Sequence, residues 1–434
     1  MSTAPKILWK PTEARVKSSH ITAFIKYIKI NNNNKQILKI KSSSNLYDWS
    51  IAEPTSFWSE LWDYCDVIAS KKGSTILKHR DKMPGAEWFP EARLNYAENL
   101  LRQTDDQEAI VFQGEDKVSN RLTYAELYDA VSITAQALVK QGVVKGDRVA
   151  AFLPNLPDTI IFMLAASSLG ALWSSCSPDF GTQGVLDRFG QIKPKILIGV
   201  DGYYYNGKHI DTLDKLGEIA NSLTSLKKVI VVPYMGSKPK ISAINKSVLL
   251  NDFVRPFKPR TIQFEQVPFN HPLFIMFSSG TTGVPKCIVH GHGGTLLQHL
   301  KEHRLHTDLK VKDRFFYFTT CGWMMWNWLV SGLASGATLL LFDGAPTYPK
   351  GDALFDFAEA ERMTIFGTSA KYIDAISKMG MQPARTHKLS HLKTITSTGS
   401  PLSPESFDYV YTKIKKDVLL SSISGGTDIV SCFV

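Results

Sequence analysis

The chain has 434 residues, enough to bury a sizeable core as one large domain with sub-domains or as two to three smaller units. Hydrophobic residues make up 44% and charged residues 21%, the balance of an ordinary soluble globular protein. The 50 basic against 40 acidic residues, net +10, are spread out apart from a modest cluster between Lys26 and Lys41, which argues against a nucleic-acid-binding arm and for a general attraction to polyanions. Five cysteines, Cys65, Cys176, Cys287, Cys321 and Cys432, are widely spaced with no C-x-x-C pair; this excludes a disulfide framework and fits a reducing cytosol. The N-terminal MSTAPKILWKPTEARVK lacks the apolar core of a signal peptide.

In chain order, residues 1–45 read as an irregular segment, with Asn31–Asn34 and Ser42–Ser44 as surface loop. Residues 46–108 form a helical and loop region. Its aromatics Tyr47, Trp49, Phe57, Trp58, Trp62 and Tyr64 have roughly helical spacing after Pro54, a pattern of core packing. From Ala109 the pattern turns α/β. Strands are expected at Ala109–Phe112, Leu122–Thr123, Arg148–Leu153, Lys195–Val200 and Lys228–Pro233. Helices are expected at Tyr124–Gln141, Pro157–Leu169 and Ile210–Leu223. The stretch Thr159–Pro178 is uncharged and long enough to suggest a membrane span, but it carries five serines and one threonine and is broken by Gly170. A buried helix, a Gly170 cap and a strand Ala171–Cys176 fit it better. After a proline-marked connection, Val254–Asn270, the alternation resumes with strands Leu273–Phe277, Lys286–His290, Arg314–Phe318, Ala337–Phe342 and Ile365–Thr368. Helices Thr295–His303 and Leu354–Arg362 belong to this second run. Such alternation predicts an α/β fold with doubly wound, mostly parallel sheets flanked by helices.

One motif dominates. Phe277–Lys286 reads Phe-Ser-Ser-Gly-Thr-Thr-Gly-Val-Pro-Lys between two apolar strands. Gly280 and Gly283 free the backbone for tight turning. The hydroxyls of Ser278, Ser279, Thr281 and Thr282, with backbone N–H groups, suit phosphate oxygens, and Lys286 adds a positive charge at the exit. The strand–loop–strand setting, and Pro285 where a second glycine is required, distinguish it from a Walker loop.

These residues resemble the signature of the AMP-forming acyl-CoA synthetase and luciferase superfamily, with Ser278 in place of a threonine. Ala86–Leu101 is similar to the N-terminal signature of short-chain acid–CoA ligases. Gly322-Trp323 resembles the opening of the acyl-binding segment, Gly399–Glu405 the adenine-site loop, and Ser424-Gly-Gly-Thr-Asp428 the aromatic-Gly-x-Thr-Glu motif. The resemblance covers Ala86 to the last residue in the family's order. It implies ATP, Mg²⁺ and coenzyme A as cofactors and co-substrates, with a carboxylic acid activated first as its adenylate. By matching positions, Ser278–Lys286 would hold the β- and γ-phosphates. Gly399, Ser400 and Pro401 would face adenine, and Thr427 would contact the α-phosphate. Asp428 would help hold Mg²⁺, and coenzyme A would approach Phe180-Gly181, with Lys208 near its phosphate. Thr427, Asp428 and Lys286 would be the catalytic set. Acetate-activating members carry a tryptophan where this chain has Gly425, and smaller residues where it has Met324 and Met325. A pocket lined by Trp323, Met324, Met325, Thr398 and Gly425 is therefore expected to take an acid larger than acetate, and the combination resembles the acetoacetate-activating branch. Pocket size alone leaves butyrate open, and the Met/Trp run also reads as core.

The chain ends inside the Thr-Glu region, at Ser431–Val434. The expectation is a large N-terminal domain, residues 109–434 being an incomplete AMP-binding domain, without the small C-terminal domain that carries the family's adenylation lysine. A non-catalytic nucleotide- or acyl-binding fragment is the alternative. His299-Leu-Lys-Glu-His303 also fits an inverted zinc-hydrolase pattern, H-x-x-E-H, or else a polar helix face.

Overall fold

The computed structural model describes residues 7–32, 35–236, 238–278 and 283–433. Two seven-stranded sheets organise the chain. The first runs, in spatial order, Ser247–Leu249, Lys228–Val232, Ile196–Val200, Arg148–Phe152, Leu172–Cys176, Pro272–Ser278 and Lys286–Gly291. The second runs Leu419–Ser422, Thr394–Thr398, Ile365–Ser369, Arg314–Tyr317, Thr338–Asp343, Glu108–Gly114 and Val118–Thr123. In both, neighbours pair in parallel except for the last strand, which closes an antiparallel hairpin. Both sheets follow one plan: a central strand, the next on one side, and three more added in turn on the other. This duplication of topology carries no fixed sequence period, because only layer and burial repeat, not residue identity.

Strand alternation builds the layers. Val149 and Ala151 pack in the same core as Ile110, Phe315, Leu339 and Leu341, between the sheets. Ala150 and Phe152 face an outer core under the helices Thr182–Ile192 and Leu213–Ser222. Val111, Phe316 and Leu340 face the other outer core, under Ala353–Ala360 and Ala370–Lys378. The period of two thus sends alternate residues of each strand to opposite helix layers. The helix Pro157–Ser168 lies in the shared middle, with ten of its twelve residues buried. Ser167 and Ser168 return their hydroxyls to the carbonyls of Met163 and Ala165 at 2.7 and 2.8 Å, so burial leaves no orphan donor. That explains the uncharged stretch. Among the described residues no helix is long and apolar enough to cross a membrane.

Several expectations change. The N-terminal segment is not irregular: helices occupy Glu13–Ser18, His20–Asn31, Lys35–Leu38 and Ser43–Ala52. Thr12, Ser19 and Ser42 cap three of them through side-chain oxygens, and Phe24 and Ile28 are buried. The Asn33–Asn34 part of the polar run lies outside the described residues. The helix expected from Ile210 begins at Leu213, because Lys208–Asp211 pairs with Gly202–Tyr205 as a hairpin. The helix expected from Thr295 starts at His292 and widens into a π turn at Glu302–His306. The aromatic region is core: Trp62, Phe89 and Phe269 stack with ring centroids 4.8 and 5.1 Å apart along the series.

Candidate active site

Four neighbouring strands of the second sheet end together, at Tyr317, Ser369, Thr398 and Ser422. The chain leaves the central strand Arg314–Tyr317 first to one side and then to the other. A crevice opens beyond the carboxyl ends at such a switch in strand order. Here it is a cavity of about 780 Å³. Its lining includes Trp323, Met324, Met325, Thr398, Gly399, Ser400, Pro401, Gly425 and Thr427. Nine expected acyl- and nucleotide-site residues, spread from Trp323 to Thr427 in sequence, therefore line one cavity.

Each is placed by local structure. Trp323 precedes the helix Met324–Val330 and is 62% exposed, its indole standing at the cavity, whereas Met324 and Met325 are largely buried in the first turn. Gly399 follows the strand Thr394–Thr398 at φ +88°, a conformation that a side chain disfavours, and the chain turns there to present Ser400 and Pro401. Gly425-Gly426 pairs with Ser431-Cys432 in a two-residue hairpin ladder whose tip holds Thr427 and Asp428. A Cβ on Gly425 would fall 2.1 Å from the Ser431 carbonyl oxygen, whereas one on Gly426 meets nothing within 4 Å. Gly425 is thus needed for close strand approach, and the open space beside the hairpin lies at Gly426, which also lines the cavity. Sequence reasoning attributed that space to Gly425.

The phosphate-loop residues stand differently. Ser278 and Lys286 face each other across the base of the hairpin formed by Pro272–Ser278 and Lys286–Gly291. Ser279, Gly280, Thr281 and Thr282 lie outside the described residues. The strand leaving the loop reaches the cavity hairpin: His290 Nε2–H donates to the Thr427 carbonyl at 2.6 Å. Burial lowers the His290 pKa, partly opposed by that carbonyl and by the Asp428 carboxylate nearby. Lys286 and His290 are four residues apart on one strand, so their side chains share a face about 13 Å apart.

Gly181 is the N-cap of the helix Thr182–Ile192. Its loop is anchored by Lys215, whose Nζ donates to the carbonyls of Pro178 and Phe180 at 3.1 Å each. The Arg188 guanidinium lies 4.8 Å from the Phe180 ring centre and 5.8 Å from that of Phe277, joining this loop to the phosphate-loop strand. Phe180 and Ser177 also approach Gly322, next to Trp323. Lys208, by contrast, is exposed on the Gly202–Tyr205/Lys208–Asp211 hairpin and does not line the cavity. The Glu115 carboxylate fixes that hairpin's turn by accepting Asn206 N–H at 2.6 Å and Gly207 N–H at 2.9 Å. Lys215, Arg188, Glu115 and His290 escaped sequence reasoning. None lies in a recognisable string, and only their partners reveal them.

The zinc pattern is overturned. His299 Nδ1 accepts from Ser331 Oγ at 2.7 Å and its Nε2–H donates to the Val430 carbonyl at 2.6 Å. Both ring nitrogens are thereby committed. Glu302 faces an indole and a chain segment, and His303 packs edge-on to Phe315 and Trp328. The one His/Cys/Asp/Glu grouping of metal-ligand type among the described residues is Asp352, Asp356 and His387, elsewhere.

Duplicated α/β sheets with a cavity beyond the strand ends define an α/β fold of the class that binds ligands at a switch in strand order. The family comparison agrees: a model described as AMP-binding enzyme matches residues 97–427, and one described as acetyl-coenzyme A synthetase N-terminus matches residues 43–100. The chain belongs to the AMP-binding enzyme family. It is 56% identical, over 99% of its length, to an acetoacetyl-coenzyme A synthetase of Rhizobium meliloti, and 44% identical over 99% to an acetoacetyl-CoA synthetase of Gallus gallus. The solved structure of an acetoacetyl-CoA synthetase from Streptomyces lividans superposes with a TM-score of 0.93 at 40% identity, covering 99% of this chain and 66% of that one. The chain spans 65% of the length of the Rhizobium and Gallus relatives.

Proposed function

We propose that the chain is the ATP- and acid-binding part of an AMP-forming acetoacetate–CoA ligase. The observation that carries this reading is the single cavity that brings the acyl segment Trp323–Met325 against the adenine segment Thr398–Pro401 and the Thr427 hairpin. A carboxylate seated beside Met324 and Met325 would face an α-phosphate held at Thr427. Attack at that phosphorus yields acyl-AMP and pyrophosphate, and the thiol of coenzyme A then displaces AMP. Neither step needs a protein nucleophile; both need reactants held in register and charge neutralised. The chain's own groups serve those needs. Gly399–Pro401 orients the base, Thr427 the α-phosphate, and Ser278 with Lys286 the outer phosphates. The Phe180-Gly181 loop, close to Gly322, suits delivery of the thiol next to Trp323.

Mg²⁺ fits the residues present. It is held by one or two carboxylates plus substrate phosphates, and Asp428 is an exposed carboxylate one residue from Thr427. Bound there, it would neutralise phosphate charge. The family relatives named acetoacetyl-CoA synthetases support acetoacetate as the acid. Five free thiols fit a cytosolic setting.

The test is equilibrium binding of stable acyl-sulfamoyl adenosines to the chain. The acetoacetyl compound is expected to bind at least tenfold more tightly than the acetyl compound, and to be displaced by ATP. Preference for the butyryl compound would reassign the acid. Absence of binding by all of them would overturn the ligase reading.

A further inference from the structure

The H-x-x-E-H string has a function in this fold other than metal binding. Gln298, His299 and Glu302 share a face of the helix His292–Lys301 and its π extension. All three meet the hairpin that carries Thr427. His299 Nε2–H donates to the Val430 carbonyl at 2.6 Å. Glu302 Oε1 accepts Ser431 Oγ–H at 2.5 Å, Cys432 N–H at 3.1 Å and Gln298 Nε2–H at 3.0 Å. The Gln298 amide also donates to Ser431 Oγ. From the opposite side, Glu302 Oε2 accepts the Trp328 indole N–H at 2.8 Å. Trp328 lies on the helix whose first turn is Met324 and Met325. Oε1 thus gathers three donors and Oε2 one, so both carboxylate oxygens are engaged, on opposite sides.

One buried carboxylate therefore ties the acyl-pocket helix to the nucleotide-contacting hairpin. The hairpin needs holding. Val430, a β-branched residue, sits at φ +48°, in the left-handed region that such residues avoid, and is buried there. His290, on the strand leaving the phosphate loop, also holds the hairpin, at the Thr427 carbonyl. The π turn starts at Glu302 itself, with Thr307 N–H donating to its carbonyl at 2.9 Å. A widened turn of this kind often marks a functional position.

We infer that Glu302 and His299 are positioning residues, a clamp that sets the Thr427 hairpin against the wall formed by Met324 and Met325. This rests on the proposed function, in that the hairpin is read as the nucleotide contact. The substitution Glu302→Gln keeps shape but points an amide N–H₂ at either the indole N–H or the Cys432 N–H. It is expected to weaken acetoacetyl-sulfamoyl adenosine binding at least tenfold and to reduce the acetoacetyl-over-acetyl preference. Adding Trp328→Phe removes the opposed indole donor and is expected to recover at least threefold of the loss.

Hydrogen exchange supplies a readout independent of ligand. In Glu302→Gln, the amides of residues 425–432 should exchange at least tenfold faster, while those of both seven-stranded sheets stay unchanged. Wild-type exchange in the hairpin, or equal acceleration through both sheets, overturns the clamp. If Glu302→Gln fails to fold, Ser431→Ala, which removes one donor to Glu302 and one acceptor of the Gln298 amide, decides by the same exchange criterion. Should the unsubstituted chain bind no adenylate mimic, the proposed function fails while the exchange result still decides the clamp.

Discussion

Two adjacent glycines give a sharp test, because the structure assigns them opposite surroundings. An alanine at Gly425 would put Cβ 2.1 Å from the Ser431 carbonyl oxygen and 2.5 Å from Cys432 Cα, both backbone atoms of the paired strand. No rotamer relieves this. The hairpin must part by ~1 Å, and a displacement of that size at a positioning group costs on the order of a hundredfold in productive binding or rate. Overpacking of this kind costs about 1–3 kcal/mol. At Gly426 the added methyl group meets no atom within 4 Å. Calorimetric titration with acetoacetyl-sulfamoyl adenosine should therefore show ~10- to 100-fold weaker binding for Gly425→Ala, and a change of less than about threefold for Gly426→Ala. Equal effects at the two positions, or full affinity in Gly425→Ala, would refute the assignment of Gly425 to strand approach.

Met325→Trp should narrow the cavity where the acyl chain is placed, weakening the acetoacetyl analogue ~10- to 200-fold relative to the acetyl one in the same titration. Trp323→Ala should abolish most of the change in tryptophan fluorescence on ligand addition, since Trp323 is the exposed indole of the cavity lining. Acid should weaken the fold through His292, whose pKa burial lowers from 6.5 to about 3 and whose Nδ1 accepts Tyr96 N–H at 3.2 Å. With the folded value below the unfolded one, stability is intact above pH 6.5 and falls as pH drops toward 3. Denaturant titrations should show His292→Gln losing about 2–3 kcal/mol less than wild type between pH 7 and 4.5. Asp343 has the opposite sign. Burial raises its pKa to about 7, so its contribution is full below pH 3.8 and is lost as pH rises through 7. Asp343→Asn should gain about 3–4 kcal/mol over wild type at pH 8 and little at pH 4.

Much of the fold was legible in sequence because strand and helix periods are local. The uncharged run from Thr159 resolved correctly into helix and strand, since Gly170 and the serines betray a buried helix that satisfies its own hydroxyls. The N-terminal helices were missed because they are short and largely solvent-facing, and are set by side-chain caps at Thr12, Ser19 and Ser42 more than by a strong apolar stripe. The hairpin Gly202–Tyr205/Lys208–Asp211 was missed because its turn is fixed by Glu115, some ninety positions away.

The chemistry divides the same way. Ser278, Thr398–Pro401, Trp323–Met325 and Thr427 form ordered strings, and strings suffice to name a nucleotide- and acid-binding family. Whether those strings meet depends on where parallel strands end, a property of sheet order that no single segment encodes. Tertiary structure alone moved the open space from Gly425 to Gly426, by aiming one Cβ at a neighbouring backbone and leaving the other with no atom within 4 Å. It also turned an apparent zinc motif into hydrogen bonds that hold the Thr427 hairpin. A histidine's function is set by what its two ring nitrogens face, and at His299 they face Ser331 and Val430, each remote in sequence.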